Sequence, residues 1–205
     1  MTSRVLTPVE LVVGLGNPGS GHADDRHNAG FWFVDRVVEQ MRLSWRQESR
    51  YKGELARAES GIRFLKPQTY MNLSGESVAA CASYFRIAVD AILVVHDELD
   101  LDAGVVRLKR GGGHGGHNGL RNIDQHLSSP GYLRARIGIG HPGSAREVSD
   151  YVLGKPRQDE RVAIDEALDS LLAVFDTVCA GHLDRAMNSL NRRHKKAKEN
   201  DSNGL

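Results

Sequence analysis

The chain has 205 residues, 40% hydrophobic and 26% charged, with a formal net charge of +1 at pH 7. That length gives one domain, or at most two, with a sizeable core, and so balanced a charge excludes binding to nucleic acid by bulk charge alone. No apolar run approaches the roughly 20 residues of a membrane span, and Met1 to Pro8 lacks the apolar stretch of a secretion signal.

In chain order, Val9 to Leu15 reads as a buried strand: short, β-branched and ended by glycine. A turn, Gly14-Leu15-Gly16-Asn17-Pro18-Gly19, and a polar loop follow. From Phe31 to Leu43 the apolar residues recur at helical spacing. Leu55-Ala56 and Ile62 to Leu65 flank the turn Glu59-Ser60-Gly61 and predict a hairpin. Ser74 opens a helix through about Phe85. Ile92 to Val95 is a continuous apolar run, the mark of a strand covered on both sides, and it stops at His96-Asp97-Glu98. Val105 to Lys109 predicts another strand, Gly111 to Gly119 a glycine-rich loop, and Leu120 to Leu127 a short helix. Arg134 to Ile139 alternates basic and apolar residues, as a strand with one polar face does. Helical patterns cover Val148 to Leu153, Gln158 to Val178 and about His182 to Leu190.

Strands interspersed with helices, without a repeat or linker, predict an α/β fold: a single domain, residues 1–191, with a twisted mixed β-sheet flanked by helices. Residues 192–205 read as a polar, basic, flexible tail carrying Arg192, Arg193, Lys195, Lys196 and Lys198. Cys81 and Cys179 sit in apolar helical patterns, as buried thiols of a reducing cytoplasm do.

The first glycine turn fits the dinucleotide-binding pattern G-x-G-x-x-G, but its surroundings do not. The helix starts some ten residues late, the acid about 20 positions on (Glu39) falls inside a helix, and Pro18 removes an amide. The second glycine run, Gly111 to Gly119, has no Lys-Ser/Thr pair at its end. It lets backbone approach a ligand closely and ends at a helix start, where free amides can bind an anion or oxyanion. His96, His114, His117 and His141 could cluster, yet no H-E-x-x-H, H-x-H or C-x-x-C spacing marks a metal site. No G-x-S-x-G elbow supplies a serine nucleophile. An enzyme built from these residues activates water directly, with a histidine as base. His27 alone also fits a structural histidine, and Asn72 a helix cap.

Six stretches in order and spacing resemble the bacterial peptidyl-tRNA hydrolase family. They are Val12 to Gly19, Arg26-His27-Asn28-Ala29-Gly30, Lys66 to Gly75, His96 to Asp100, Gly111 to Leu120, and Arg136 to Pro142; the resemblance spans roughly residues 9 to 190. It implies a monomeric, cytoplasmic esterase without metal or cofactor. Its substrate is peptidyl-tRNA, cut at the ester between the peptide and the 3′-terminal ribose. By matching position, His27 is the general base on water, Asp97 orients it, and Asn72 positions the water or donates to the oxyanion. Asn17 and Asn118 hold the peptide main chain, Tyr70 and His22 line the tRNA-end site, and Lys109 and Arg136 grip the 5′-phosphate. The family usually has tyrosine where His22 stands, and small or polar residues where Asp24 and Asp25 set two charges before His27, able to raise its pKa. A catalytically idle, RNA-binding relative is the alternative, and the intact trio of His27, Asp97 and Asn72 argues against it.

Overall fold

The computed structural model describes residues 6–202. Its single seven-stranded sheet has the order β2-β3-β4-β1-β5-β7-β6. The strands are β1 (Leu11–Gly14), β2 (Arg46–Glu48), β3 (Gly53–Arg57), β4 (Arg63–Pro67), β5 (Ile92–Glu98), β6 (Val106–Arg110) and β7 (Leu133–Gly138). The helices are α1 (Ala29–Gln40), α2 (Ser74–Phe85), α3 (Asn118–Leu127), α4 (Val148–Val152), α5 (Gln158–Leu172), α6 (Phe175–Cys179) and α7 (Leu183–Ser202). Strands β4, β1, β5 and β7 run parallel; β3 and β2 on one side, and β6 on the other, close the sheet antiparallel. The mixed α/β sheet read from the sequence is therefore the one formed.

The continuous apolar runs of β1 and β5 lie at the sheet's centre because both faces are covered. Val12, Leu93 and Val95 pack with α1, α5, α6 and α7 on one side. Leu11, Val13, Ile92 and Val94 pack with α2 and α3 on the other. Central parallel strands place their carboxyl ends along one edge, where ligands bind in sheets of this kind.

Several boundaries differ from the sequence reading. Strand β5 does not stop at Val95: His96, Asp97 and Glu98 continue it, paired with Arg136, Ile137 and Gly138. Their polarity marks the mouth of the site, not the end of the ladder. The expected helix Gln158 to Val178 is two, α5 and α6, parted at Ala173-Val174. The expected tail continues α7 to Ser202, and residues 203–205 lie outside the described residues.

Two glycines set the height of α1 on the sheet. A Cβ on Gly30 would overlap the carbonyl of Val95 and the backbone of Leu15. A Cβ on Gly14 would come within 2.5 Å of the Gly30 carbonyl and 2.6 Å of Val34. The amide of Phe31 donates to the carbonyl of Leu15 at 3.1 Å. The start of α1, and His27 just before it, is thereby seated directly on the ends of β1 and β5.

The glycine-rich loop doubles back along β7. It leaves β6 beside the first residues of β7, where the Gly111 amide donates to Tyr132 at 3.0 Å. Arg134, buried in β7, donates to the carbonyls of Gly113 at 2.8 Å and Gly112 at 2.7 Å. The loop thus returns to the carboxyl edge and delivers His117 to Asp97.

Candidate active site

His27 lies in a buried 3-10 turn, Arg26–Asn28, between the polar loop and α1. Its Nδ1 donates to both carboxylate oxygens of Asp97, each at 2.9 Å. His117 reaches the same carboxylate from the glycine loop, Nε2 to Oδ1 at 3.0 Å. The Nδ1 of His117 accepts the amides of Gly119 at 3.1 Å and Leu120 at 3.3 Å and so caps α3. The amide bonds occupy Nδ1 as an acceptor, which places the His117 proton on Nε2, toward Asp97. They also use two of the helix-start amides that the sequence suggested were free for an anion. His96 packs its ring against His117, centroids 5.0 Å apart, and its Nδ1 donates to the Asp97 carbonyl at 2.6 Å.

The electrostatics follow from this packing. Burial pushes the His27 ring down, but the charge and hydrogen bond of Asp97, with the charge of Asp25, outweigh it and hold its pKa above the ordinary 6.5. Burial pushes Asp97 up, and His27 and His117 overcome this and hold it well below the usual carboxylate range. Burial, followed by the charge of His117, lowers His96 to about 3, so His96 stays neutral beside the carboxylate. Of the two acids preceding His27, only Asp25 is buried against it; Asp24 is exposed and pairs with Lys155 at 2.6 Å.

These groups open into a cavity of about 710 Å³, within the usual range for small-molecule sites. Asn17, Tyr70, Asn72, Asn118, His114 and His141 also line it. Asn17 is held three ways: its amide donates to Asn28 Oδ1 at 2.8 Å, its carbonyl accepts from Asn28 Nδ2 at 3.0 Å, and its Oδ1 accepts from the Met71 amide at 2.8 Å. With Oδ1 so occupied, the side-chain NH₂ is the group left to face the cavity. Asn72 does not cap α2, whose start has no side-chain cap, so that alternative is excluded. Asn118 is the first residue of α3, capped by its neighbour His117.

Leu99, Val148, Val152 and Leu153 give the cavity an apolar side. Arg26 ties that side to the histidine turn. Its guanidinium donates to the carbonyls of Tyr151 at 3.2 Å and Gly154 at 3.1 Å and to Glu160 at 2.7 Å. It also lies 4.0 Å over the Tyr151 ring.

Three of the expected site residues lie outside the cavity lining. His22 bonds Asp25 at 2.7 Å. Arg136 donates Nε–H to Glu98, itself on the lining, at 2.8 Å. Lys109 is exposed on β6, opposite Arg134 and one diagonal step from Arg136. Arg107, Lys109, Arg134 and Arg136 share one sheet face by register. Sequence reasoning missed three contributors: Asn28, Arg26 and His117 as a partner of Asp97. The first two stand in the same short motif as His27, and the third stands within the glycine run, where only a metal role was considered for it.

His27, Asp97 and His117 offer three ligand atoms within 4.8 Å of one another. Their tautomers oppose a cation. His117 can ligate through Nε2 only if its proton moves to Nδ1, which faces two amide N–H groups. No described helix is long and apolar enough to cross a membrane.

Comparison with known proteins gives the family. The family model for peptidyl-tRNA hydrolase matches residues 11–200. A peptidyl-tRNA hydrolase of Nitrosomonas europaea is 50% identical over 191 residues, 92% of this chain and 98% of that protein. One from Edwardsiella ictaluri is 50% identical over 187 residues, 89% of this chain and 95% of that protein. The crystal structure of peptidyl-tRNA hydrolase from Acinetobacter baumannii superposes with a TM-score of 0.87 at 46% identity, covering 92% of this chain and 97% of that one. The chain belongs to the peptidyl-tRNA hydrolase family.

Proposed function

We propose that the protein hydrolyses the ester between a peptide and the 3′-terminal ribose of tRNA, as a monomer in the cytoplasm, with His27 as general base. The observation that carries this reading is the 2.9 Å bond from His27 Nδ1 to Asp97, which leaves Nε2 as the basic nitrogen on the cavity wall. A water on Nε2 gives up its proton as its oxygen bonds to the ester carbon. The carbonyl electrons move to oxygen, and the NH₂ of Asn72 receives that charge. Collapse breaks the bond to the ribose oxygen, which takes the proton from His27 and leaves as a hydroxyl. Asp97 stabilises the imidazolium in between, as in the histidine–aspartate half of a serine-protease triad.

An ester needs no metal for this, because its alkoxide leaving group is far better than an amine. Asparagine amides suit an uncharged N-acyl group, whereas a free α-ammonium would lack an anionic partner, so the site favours peptidyl over aminoacyl esters. Asn17 and Asn118 hold the peptide main chain, and Tyr70 packs at the tRNA end. Lys109 and Arg136 hold the 5′-phosphate from the sheet face beside the cavity. His22, bonded to Asp25, acts at the tRNA end only if its ring turns outward.

The test is purified protein with N-acetyl-aminoacyl-tRNA in EDTA. Wild type is expected to release tRNA, and His27→Ala is not. Equal activity in both overturns the assignment of the base; RNA binding without deacylation in wild type makes the protein an idle relative.

A further inference from the structure

Three His-x-Gly triplets border the cavity: His114-Gly115-Gly116, His117-Asn118-Gly119 and His141-Pro142-Gly143. Each makes the same bond. The histidine Nδ1 accepts the amide of the glycine two residues on, at 3.1 Å for His114, 3.1 Å for His117 and 2.9 Å for His141. Gly116 and Gly143 have φ of 83° and 89°, which only glycine adopts easily. The triplet is therefore a device that fixes a ring tautomer. With Nδ1 engaged as acceptor, the proton stands on Nε2 and points away from the turn.

His117 directs its Nε2–H to Asp97. His114 and His141 have the same arrangement and, among the described residues, no acceptor for theirs. His114 is half-buried and His141 exposed, and both residues line the cavity. Two preset donors on the wall of a site call for acceptor oxygens in its ligand.

We infer that His114 and His141 are substrate-binding residues whose Nε2–H groups donate to acceptor oxygens of the bound tRNA ester. This rests on the placement of the ester in this cavity under the proposed function. For His114 the favoured oxygens are those of the polynucleotide 3′ end. Its loop rests on cations: Arg134 holds the carbonyls of Gly112 and Gly113, and Lys109 Nζ would lie 2.8 Å from a Cβ on Gly112. A phosphodiester is drawn to that side of the cavity more strongly than a neutral peptide.

Asparagine separates the two properties of these histidines. In His114→Asn and His141→Asn the shorter side chain still accepts the i+2 amide, as an Asx-turn, but its remaining NH₂ stops short of the position held by Nε2–H, so the donor no longer reaches the ligand. Each variant is expected to raise KM for N-acetyl-aminoacyl-tRNA roughly three- to tenfold, the worth of one hydrogen bond, with kcat within about twofold. Wild-type KM in both asparagine variants, with losses only in the alanine variants, would make the triplets mere turns and overturn the inference. A parallel assay on an N-acetyl-aminoacyl ester of adenosine locates the oxygens. A loss on tRNA alone places them in the polynucleotide, and an equal loss on both substrates places them in the acylated nucleoside. Failure of the underlying reading is separate: it appears as full activity of His27→Ala.

Discussion

His117 donates Nε2–H to Asp97 Oδ1 at 3.0 Å, and does so because its other ring nitrogen caps α3. One side chain thereby joins the glycine-rich loop, a helix start and the carboxylate behind His27. Asp97 is 2% exposed and cannot draw on bulk water, so each donor to it counts. Replacing His117 by Ala removes a charge-assisted bond worth about 1.5–3 kcal/mol and frees the Asp97 carboxylate to rotate. The expected outcome is a fall in kcat of about tenfold or more, larger than any rise in KM, and loss of the α3 cap. An unchanged kcat would show that His27 alone holds Asp97 in place.

The raised pKa of His27 sets the pH dependence. The neutral ring is the base, so kcat/KM falls as pH drops, with a midpoint above 6.5. The cause is Asp97, working against burial. Asp97→Asn should therefore move the midpoint to lower pH and cut kcat by about 10³-fold or more, since an amide NH₂ facing Nδ1 imposes the wrong tautomer. For stability the sign is opposite to the usual carboxylate case. The folded-state pKa of His27 is above its unfolded value, so the pairing stabilises the fold fully below the unfolded value and is lost as pH rises through the folded one. A pH–rate profile of both proteins checks the first point, and urea melts across neutral pH the second.

Asn17→Asp is an informative substitution. The retained oxygen still accepts the Met71 amide, and the bonds to Asn28 use only backbone groups of residue 17. What disappears is the NH₂ facing the cavity. KM for N-acetyl-aminoacyl-tRNA is expected to rise about tenfold or more, because a carboxylate replaces the donor opposite a peptide carbonyl. Near-wild-type KM would mean that the peptide does not use this amide.

Gly30→Ala tests whether packing positions the base. A methyl there overlaps the Val95 carbonyl and the Leu15 backbone, neither of which is a flexible chain end. Overpacking of this kind costs about 1–3 kcal/mol, and rigid backbone on both sides puts it near the upper figure. Urea denaturation should show that loss, and kcat should fall with it, since lifting α1 pulls His27 from Asp97. A stable, fully active variant would contradict the seating of α1 on the sheet.

The legible parts of this molecule were those where local pattern and tertiary role agree. The runs Leu11-Val12-Val13 and Ile92 to Val95 read as central strands because both faces of such strands are covered, and periodicity needs no further context. The boundary at Val95 was misread because His96, Asp97 and Glu98 have polar side chains, while their backbones stay in the ladder with β7. His27 and Asp97 were accessible through family resemblance; the pairing of His117 with Asp97 was not, because it depends on a loop that doubles back along β7 on Arg134. Residues 192–202 show the reverse problem. Their polar composition suggested a tail, yet the backbone continues α7 through them to Ser202.

The basic pair gives a last prediction, and register decides its form. Lys109 stands opposite Arg134, and Arg107 opposite Arg136, so Lys109 and Arg136 are diagonal neighbours on one face. They are not equivalent. Lys109 is exposed, whereas Arg136 is half-buried with its Nε committed to Glu98 at 2.8 Å. A phosphate can still meet the guanidinium's other N–H groups, and Glu98 then orients the fork. Lys109→Ala should weaken tRNA binding and flatten the plot of log affinity against log salt by about 0.7–0.9, the slope of one phosphate contact. Arg136→Ala should do the same and also leave Glu98, on the cavity wall, as an unpaired anion beside a polyanionic substrate, so its loss should be the larger of the two. Both variants should retain wild-type turnover of an N-acetyl-aminoacyl adenosine ester. An equal loss on that short substrate would place the pair in the chemical step, and an unchanged salt slope would remove it from the tRNA contact.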